Sequence, residues 1–382
     1  MIAAGIPGAH RIGSHTLPDG WGVAAVGDLF AIRQGKALSP AARNASQRFP
    51  FLRTANVFWG HIDATTVDLM GLTGDERRRL ALRDGDLLVC EGGDIGRCAI
   101  WHDELSECYY QNHLHRLRPL QSETHPDFYA YWFHAAFTTL GLYEGAGNKT
   151  TIPNLSRARL AALPVPVPPA REQERVARVL STIQRSRARS AEILHDLNRL
   201  RASSLHKLFE NDGGSNEVLL GDMVTLQRGY DLPSQDRKLG EVPVVSSSGV
   251  SGHHCSGKEV GPGVVIGRYG TLGQVHFIEA GPYWPLNTTL FVKDFHENDP
   301  RFVAYFLETI AYESHNDKTS VPGINRNDLH ALRVLWPSKA DQSRIARVLS
   351  VIDRRIAAEE ATGLRLGQIF ASAAAALLGG AG

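Results

Sequence analysis

The feature that most constrains this chain is a repeat running through almost its whole length. Leu163 aligns with Leu332, and the same offset of 169 carries Gln173 onto Gln342, Arg175 onto Arg344 and Ala177-Arg178-Val179-Leu180 onto Ala346-Arg347-Val348-Leu349. Ser181, Ile183 and Arg185 then meet Ser350, Ile352 and Arg354, and Lys149-Thr150-Thr151-Ile152-Pro153 lies over Lys318-Thr319-Ser320-Val321-Pro322. Upstream the offset drifts, as loop insertions would cause. Leu87-Leu88-Val89, closing in Gly93-Asp94-Ile95-Gly96, parallels Val264-Val265-Ile266, closing in Gly270-Thr271-Leu272-Gly273. Arg33-Gln34-Gly35 parallels Gln227-Arg228-Gly229. Most other positions differ, so the chain is a duplication whose copies have diverged.

Each half has two parts. The first is rich in Gly, aromatics and short apolar runs that read as strands punctuated by turns, with helices near Phe128-Tyr131-Trp132 and Phe302-Tyr305-Phe306. The second is helical. After the stop Pro164 to Pro169, residues from about 171 to 209 contain neither Pro nor Gly. Apolar residues recur there in steps of three and four, which average the 3.5 of a coiled-coil seam. At 1.5 Å per residue such a helix would run ~58 Å. Ser186, Arg187 and Ser190 interrupt the first seam, and Glu359 and Gly363 the second. The economical expectation is that the two long helices pair antiparallel and hold two globular parts apart; the plainer alternative packs each helix on its own globular domain. The expected fold is therefore α+β: two globular domains of mixed short strands and helices, two long antiparallel coiled-coil helices, and pseudo-two-fold symmetry. The expected boundaries are a flexible extension (1–16), a first domain (17–170), a first helix (171–211), a second domain (212–338) and a second helix (339–382).

Composition excludes several classes. The chain has 382 residues, 43% of them hydrophobic, which is ample for real cores. Its 41 Lys+Arg against 40 Asp+Glu give no global electrostatic argument for a polyanionic partner. The four cysteines lack C-x-x-C spacing and read as reduced thiols. No leader-like segment and no run of 18 apolar residues is evident, so a cytoplasmic location and no membrane partner are expected.

The ordered motifs resemble the DNA-specificity subunit of Type I restriction–modification systems. Such subunits typically open each half with Leu-Pro-x-Gly-Trp and a Gly-Asp-Leu phrase, matched by Leu17-Pro18-Asp19-Gly20-Trp21, Gly27-Asp28-Leu29 and Gly221-Asp222-Met223. The second half lacks the Pro-x-Gly-Trp opening. They leave each recognition domain through a Pro-rich exit, then Glu-Gln and a long helix ending in Leu-Phe. Here these are Pro164 to Pro169, Glu172-Gln173 and Leu208-Phe209, with Trp336-Pro337 and Asp341-Gln342 in the second copy. The resemblance implies a non-catalytic phage-defence subunit. Each globular part would be a target recognition domain reading one half of a bipartite, asymmetric site in double-stranded DNA. The helices would space the half-sites and dock two adenine-methyltransferase subunits and, through them, restriction/translocase subunits. No cofactor is expected on this chain; S-adenosylmethionine, ATP and Mg²⁺ would sit on the partners.

Base or phosphate readers should be polar or cationic residues on loops of the globular parts. The candidates are Arg33, Lys36, Arg53, Lys149, Thr150 and Thr151 in the first domain. In the second they are Arg228, Ser246, Ser247, Ser248, His253, His254, Arg268, Tyr269, Lys318, Thr319 and Ser320. Seam residues Val176, Leu180, Ile183, Ile193, Ile345, Leu349, Ile352 and Ile356 are candidates for partner contact. The first helix carries nine Arg/Lys against four Asp/Glu, read either as a contact for phosphates or as a solvated face with internal ion pairs. Gly252 to Glu259 nearly spells a phosphate-binding loop, but Glu259 stands where Mg²⁺ would need Ser or Thr. Neither a metal cluster nor a catalytic constellation is evident. Two alternatives stay open: a specificity subunit of a combined restriction–methylation enzyme with different partners, and a two-domain protein scaffold without DNA binding.

Overall fold

The computed structural model describes residues 11–143, 154–210, 216–312 and 323–379. It divides into two units, Met1–Arg189 with Gly363–Gly382, and Ser190–Thr362. Four helices organise them: α1 (Pro126–Thr138), α2 (Ala170–Glu210), α3 (Pro300–Glu308) and α4 (Lys339–Leu378).

In the first unit a four-stranded antiparallel sheet has the order Cys98–Ile100, Leu87–Cys90, Leu114–Pro119, Phe30–Gln34. The run Leu87-Leu88-Val89-Cys90 is fully buried because both faces of this sheet are covered. Side chains alternate across a strand. Leu87 and Val89 accordingly join one core with α1 and the start of α2, whereas Leu88 and Cys90 join a second core with Phe51, Trp101 and Tyr110. The second unit repeats the design. A six-stranded sheet has the order Thr225–Arg228, Thr289–Asp294, Glu259–Gly267, Val275–Pro285, Val242–Ser246, Gly249–His254. Val264 and Ile266 point to the core holding α3, and Val265 to the opposite face. In both units a strand near the start pairs antiparallel with the exit strand: Gly22–Ala25 with Pro164–Val167, and Asn216–Leu219 with Arg333–Trp336.

The repeated Gln has a structural role. Gln173, 3% exposed, accepts from the His125 N–H at 3.0 Å and donates to the Pro168 carbonyl at 2.9 Å. Gln342, 2% exposed, accepts from the Asp299 N–H and donates to the Pro337 carbonyl. Each ties the Pro-rich exit to the N-terminus of α1 or α3, where Pro sits at the first helical position.

Each long helix begins on the core of its own domain, through Val176 and Leu180 in α2 and through Ile345 and Leu349 in α4. Within the second unit, α2 then runs antiparallel to α4. Ser190 donates to Glu359 at 2.6 Å and Arg201 to Asp353 at 2.6 Å. Within the first unit the end of α4 packs Phe370 and Leu378 into the core. Among the described residues α4 is the one helix long and apolar enough to cross a membrane, with a mean hydropathy of 1.3 over its most apolar stretch. Residues 11–16, inside the expected flexible extension, form a two-stranded hairpin because Ile12 inserts into the first core at 3% exposure.

Candidate nucleic-acid interface

The strand order brings several of the expected readers to one end of the second unit's sheet. Arg228 stands opposite Leu290, Gly267 stands opposite Thr289, and the Gly229 N–H donates to the Thr289 carbonyl. The N–H groups of Arg268 and Tyr269 both donate to the Thr288 carbonyl, at 3.0 and 3.2 Å. The turn at Ser246 to Ser248 joins the same edge, since the Leu286 N–H donates to the Val245 carbonyl and His276 Nε2 lies 3.1 Å from the Ser247 carbonyl. Arg228, Ser246, Ser247, Ser248, Arg268 and Tyr269 therefore form one rim.

The guanidinium of Arg268 is held at its inner edge. Its Nε donates to the Ile324 carbonyl at 3.1 Å, and its plane lies over Tyr269 with 4.6 Å to the ring centroid. Arg228 is more than half exposed and stands 3.6 Å from Asp231. Gly273, at φ +71°, closes the adjoining loop against Tyr312, whose ring a Cβ would strike at 2.2 Å; Gly96, at φ +81°, meets Phe137 in the same way.

The equivalent rim of the first unit has different chemistry at the same places. Gln34 stands where Arg228 does, and Glu91 stands where Arg268 does. Gln34 Nε2 donates to Glu91 Oε2 at 3.1 Å and to the Asn112 carbonyl at 2.8 Å. The Leu155 N–H donates to the Glu91 carbonyl, just as the Ile324 N–H donates to that of Arg268. The Leu155 carbonyl is met by buried His115 Nε2 at 2.9 Å, whereas Ile324 is met by Arg268. Burial holds the His115 imidazole below its usual pKa, so it is neutral near pH 7. Gln34, Glu91 and Asn112 were missed in the sequence reading. The signal was available, because Gln34 aligns with Arg228 across the repeat.

The structure does not gather every candidate. His254 is 7% exposed, accepts from the Lys238 N–H at 2.9 Å and sets its ring against Trp284, so it is a core residue. His253, exposed, lies at the far end of its strand from the Ser246 turn. Lys36 is committed to Glu76 at 2.6 Å, and Arg53 pairs with Asp68 at 3.1 Å. Arg33 is exposed beside Gln34. Lys149, Thr150, Thr151, Lys318, Thr319 and Ser320 lie outside the described residues. Of the seam residues, Val176, Leu180, Ile345 and Leu349 are fully buried in the chain's own cores and Ile352 is 8% exposed. They cannot meet a partner in this fold, because their surface is already spent on the domain beside them. Ile183, Ile193 and Ile356 retain partial exposure. On α2, Arg175, Arg178 and Arg199 pair with Glu172, Glu174 and Asp196 on the same helix. The phosphate-loop lookalike runs from the strand Gly249–His254 into the strand Glu259–Gly267, which does not pair with it, and there Glu259 binds Lys293 and Tyr230. Among the described residues no three His, Cys, Asp or Glu side chains are grouped to hold a metal ion.

The sequence matches the family described as Type I restriction modification DNA specificity domain twice, over residues 18–199 and 213–366. A comparison with curated proteins finds no match. Among solved structures, a Type I restriction–modification S subunit from M. genitalium superposes with a TM-score of 0.70 at 16% identity, covering 96% of this chain and 99% of that one. A second, from work on complex assembly and conformational transition of the type I R-M system, gives 0.56 at 17% identity, covering 96% and 99%. These likenesses establish the fold, and the double match over nearly the whole chain establishes the family: the chain belongs to the Type I restriction–modification DNA specificity subunits.

Proposed function

We propose that this chain is the non-catalytic sequence reader of a Type I restriction–modification assembly, each unit reading one half of a bipartite, asymmetric site in double-stranded DNA. The observation that carries this reading is the pair of rims: the same strand ends, in the same order, present different side chains. A duplicated scaffold with divergent rims suits two unlike half-sites. Phosphate contacts position such a reader, and side chains on the rims specify sequence. The helices α2 and α4 are the docking surface for two adenine-methyltransferase subunits, and through them for restriction/translocase subunits. S-adenosylmethionine, ATP and Mg²⁺ belong to those partners, and the target adenine is flipped into the methyltransferase. The assembly works in the cytoplasm on chromosomal and invading DNA.

The test is co-expression with an adenine-methyltransferase subunit of the same system, followed by single-molecule sequencing of host DNA. A split motif with one methylated adenine in each half is expected. A stable complex that leaves no methylated motif would overturn the reading, as would site-specific methylation by the purified chain alone.

A further inference from the structure

The two rims differ in the hydrogen-bond polarity of the side chains they present, and that difference defines what each can accept. In the first unit both amide hydrogens of Gln34 are engaged, one by the Glu91 carboxylate and one by the Asn112 carbonyl. The amide cannot be turned round, since its oxygen would then face two acceptors. Gln34 is exposed, and its Oε1 has no partner among the described residues, so it presents an acceptor alone. In the second unit Arg268 has its Nε engaged and its face stacked on Tyr269. Its Nη1 and Nη2 have no hydrogen-bond partner among the described residues and can only donate.

In the major groove, adenine N6 and cytosine N4 offer donors, whereas guanine O6 and N7 offer two adjacent acceptors that fit a guanidinium fork. We propose that Arg268 reads a guanine in the half-site of the second unit, and that Gln34, positioned by Glu91 and Asn112, reads the amino group of an adenine or cytosine in the half-site of the first. Glu91 is a positioning residue: it is 8% exposed and acts through Gln34. The proposal rests on the two-reader function above and adds the residue and base class on each side. It also ties the asymmetry of the site to these two side chains, since an oxygen that only accepts and a guanidinium that only donates cannot be satisfied by the same base atom.

The experiment uses the full chain in complex with its methyltransferase subunits and a pool of randomised DNA duplexes, sequenced after capture. Wild type should enrich a split motif with a fixed G·C pair in one half. Arg268→Gln should weaken or switch the preference at that single pair, by about tenfold in enrichment ratio, and leave the other half unchanged. Gln34→Leu should relax one A·T or C·G position in the opposite half only. In each variant the untouched half reports that the chain is folded and bound. Equal loss on every sequence would make Arg268 a phosphate contact and overturn its assignment, and an unchanged motif in either variant would overturn that residue's role. If wild type enriches no motif at all, the two-reader function itself fails, which is a different result from a motif that ignores both substitutions.

Discussion

At the scale of single residues, the repeat preserves buried polar clamps and lets the rims drift. Gln173 and Gln342 sit at one offset and do one job, yet neither touches a candidate ligand site. Truncating either to Ala strands a partly buried backbone N–H and a buried carbonyl, a loss of about 2 kcal/mol each. The two share no partner, so their effects on the urea unfolding midpoint should add. A change below about 0.5 kcal/mol in either would show that the clamps are dispensable. Their importance was legible only as repetition. A Gln kept in two divergent halves signals constraint, but not whether it binds DNA or closes a helix N-terminus. The rim was partly legible for the same reason. Arg228, Arg268 and Tyr269 stand out as cations and aromatics in Gly-rich loops, whereas Gln34 and Glu91 look ordinary until the strand order sets them side by side. His254 shows the converse error, a reactive side chain type that burial against Trp284 turns into packing.

At the scale of elements, the long helices were the most legible part, since a long Pro-free stretch with a 3.5-residue seam, free of Gly as well in the first copy, allows little else. What the periodicity could not tell was how its interruptions are resolved. Ser190 and Glu359, which looked like seam defects, are equivalent positions of the repeat and bond to each other. Position 201 and its equivalent 370 are resolved by opposite chemistry. Phe370 packs against Tyr131 and His134 under the guanidinium of Arg187. Arg201, about a quarter exposed, binds Glu308 at 2.8 Å and Asp353 at 2.6 Å. Burial raises the Glu308 carboxyl above its ordinary 4.5, and Arg201 opposes that rise. Replacing Arg201 with Met removes the opposition and should cost about 2 kcal/mol near neutral pH, less than a fully buried pair because water still reaches the site. The sign with pH follows. An unpaired carboxyl with a raised folded-state pKa is protonated in both states below 4.5, so the deficit is smallest there and grows as pH rises through the folded value. Stability curves of Arg201→Met and wild type should therefore converge toward pH 4.5 and separate toward pH 8. Parallel curves would mean that Glu308 does not depend on Arg201.

At the scale of the whole molecule, a chain with a net charge of +1 has little long-range field to draw it to DNA. Arg175, Arg178 and Arg199 of α2 are also paired with carboxylates on their own helix. On the proposed reading, recognition then comes from local contacts at the two rims, each carried by a unit with its own sheet and its own core. Two consequences follow for binding by the assembled complex. Affinity should fall steeply as salt rises, because whatever phosphate contacts exist release counterions, and a flat salt response would favour a protein scaffold over a DNA reader. Base discrimination should be additive across the halves. A mismatched base pair costs about 1–3 kcal/mol at one rim, and separate rims with no shared side chain give no reason for the second mismatch to cost less. The decisive comparison is competition among four duplexes: the full site, a mismatch in either half, and both together. A double-mismatch penalty equal to the two single penalties supports two independent readers. A double penalty no greater than the larger single one would mean that losing one half already releases the other, and that the duplicated units read as one body.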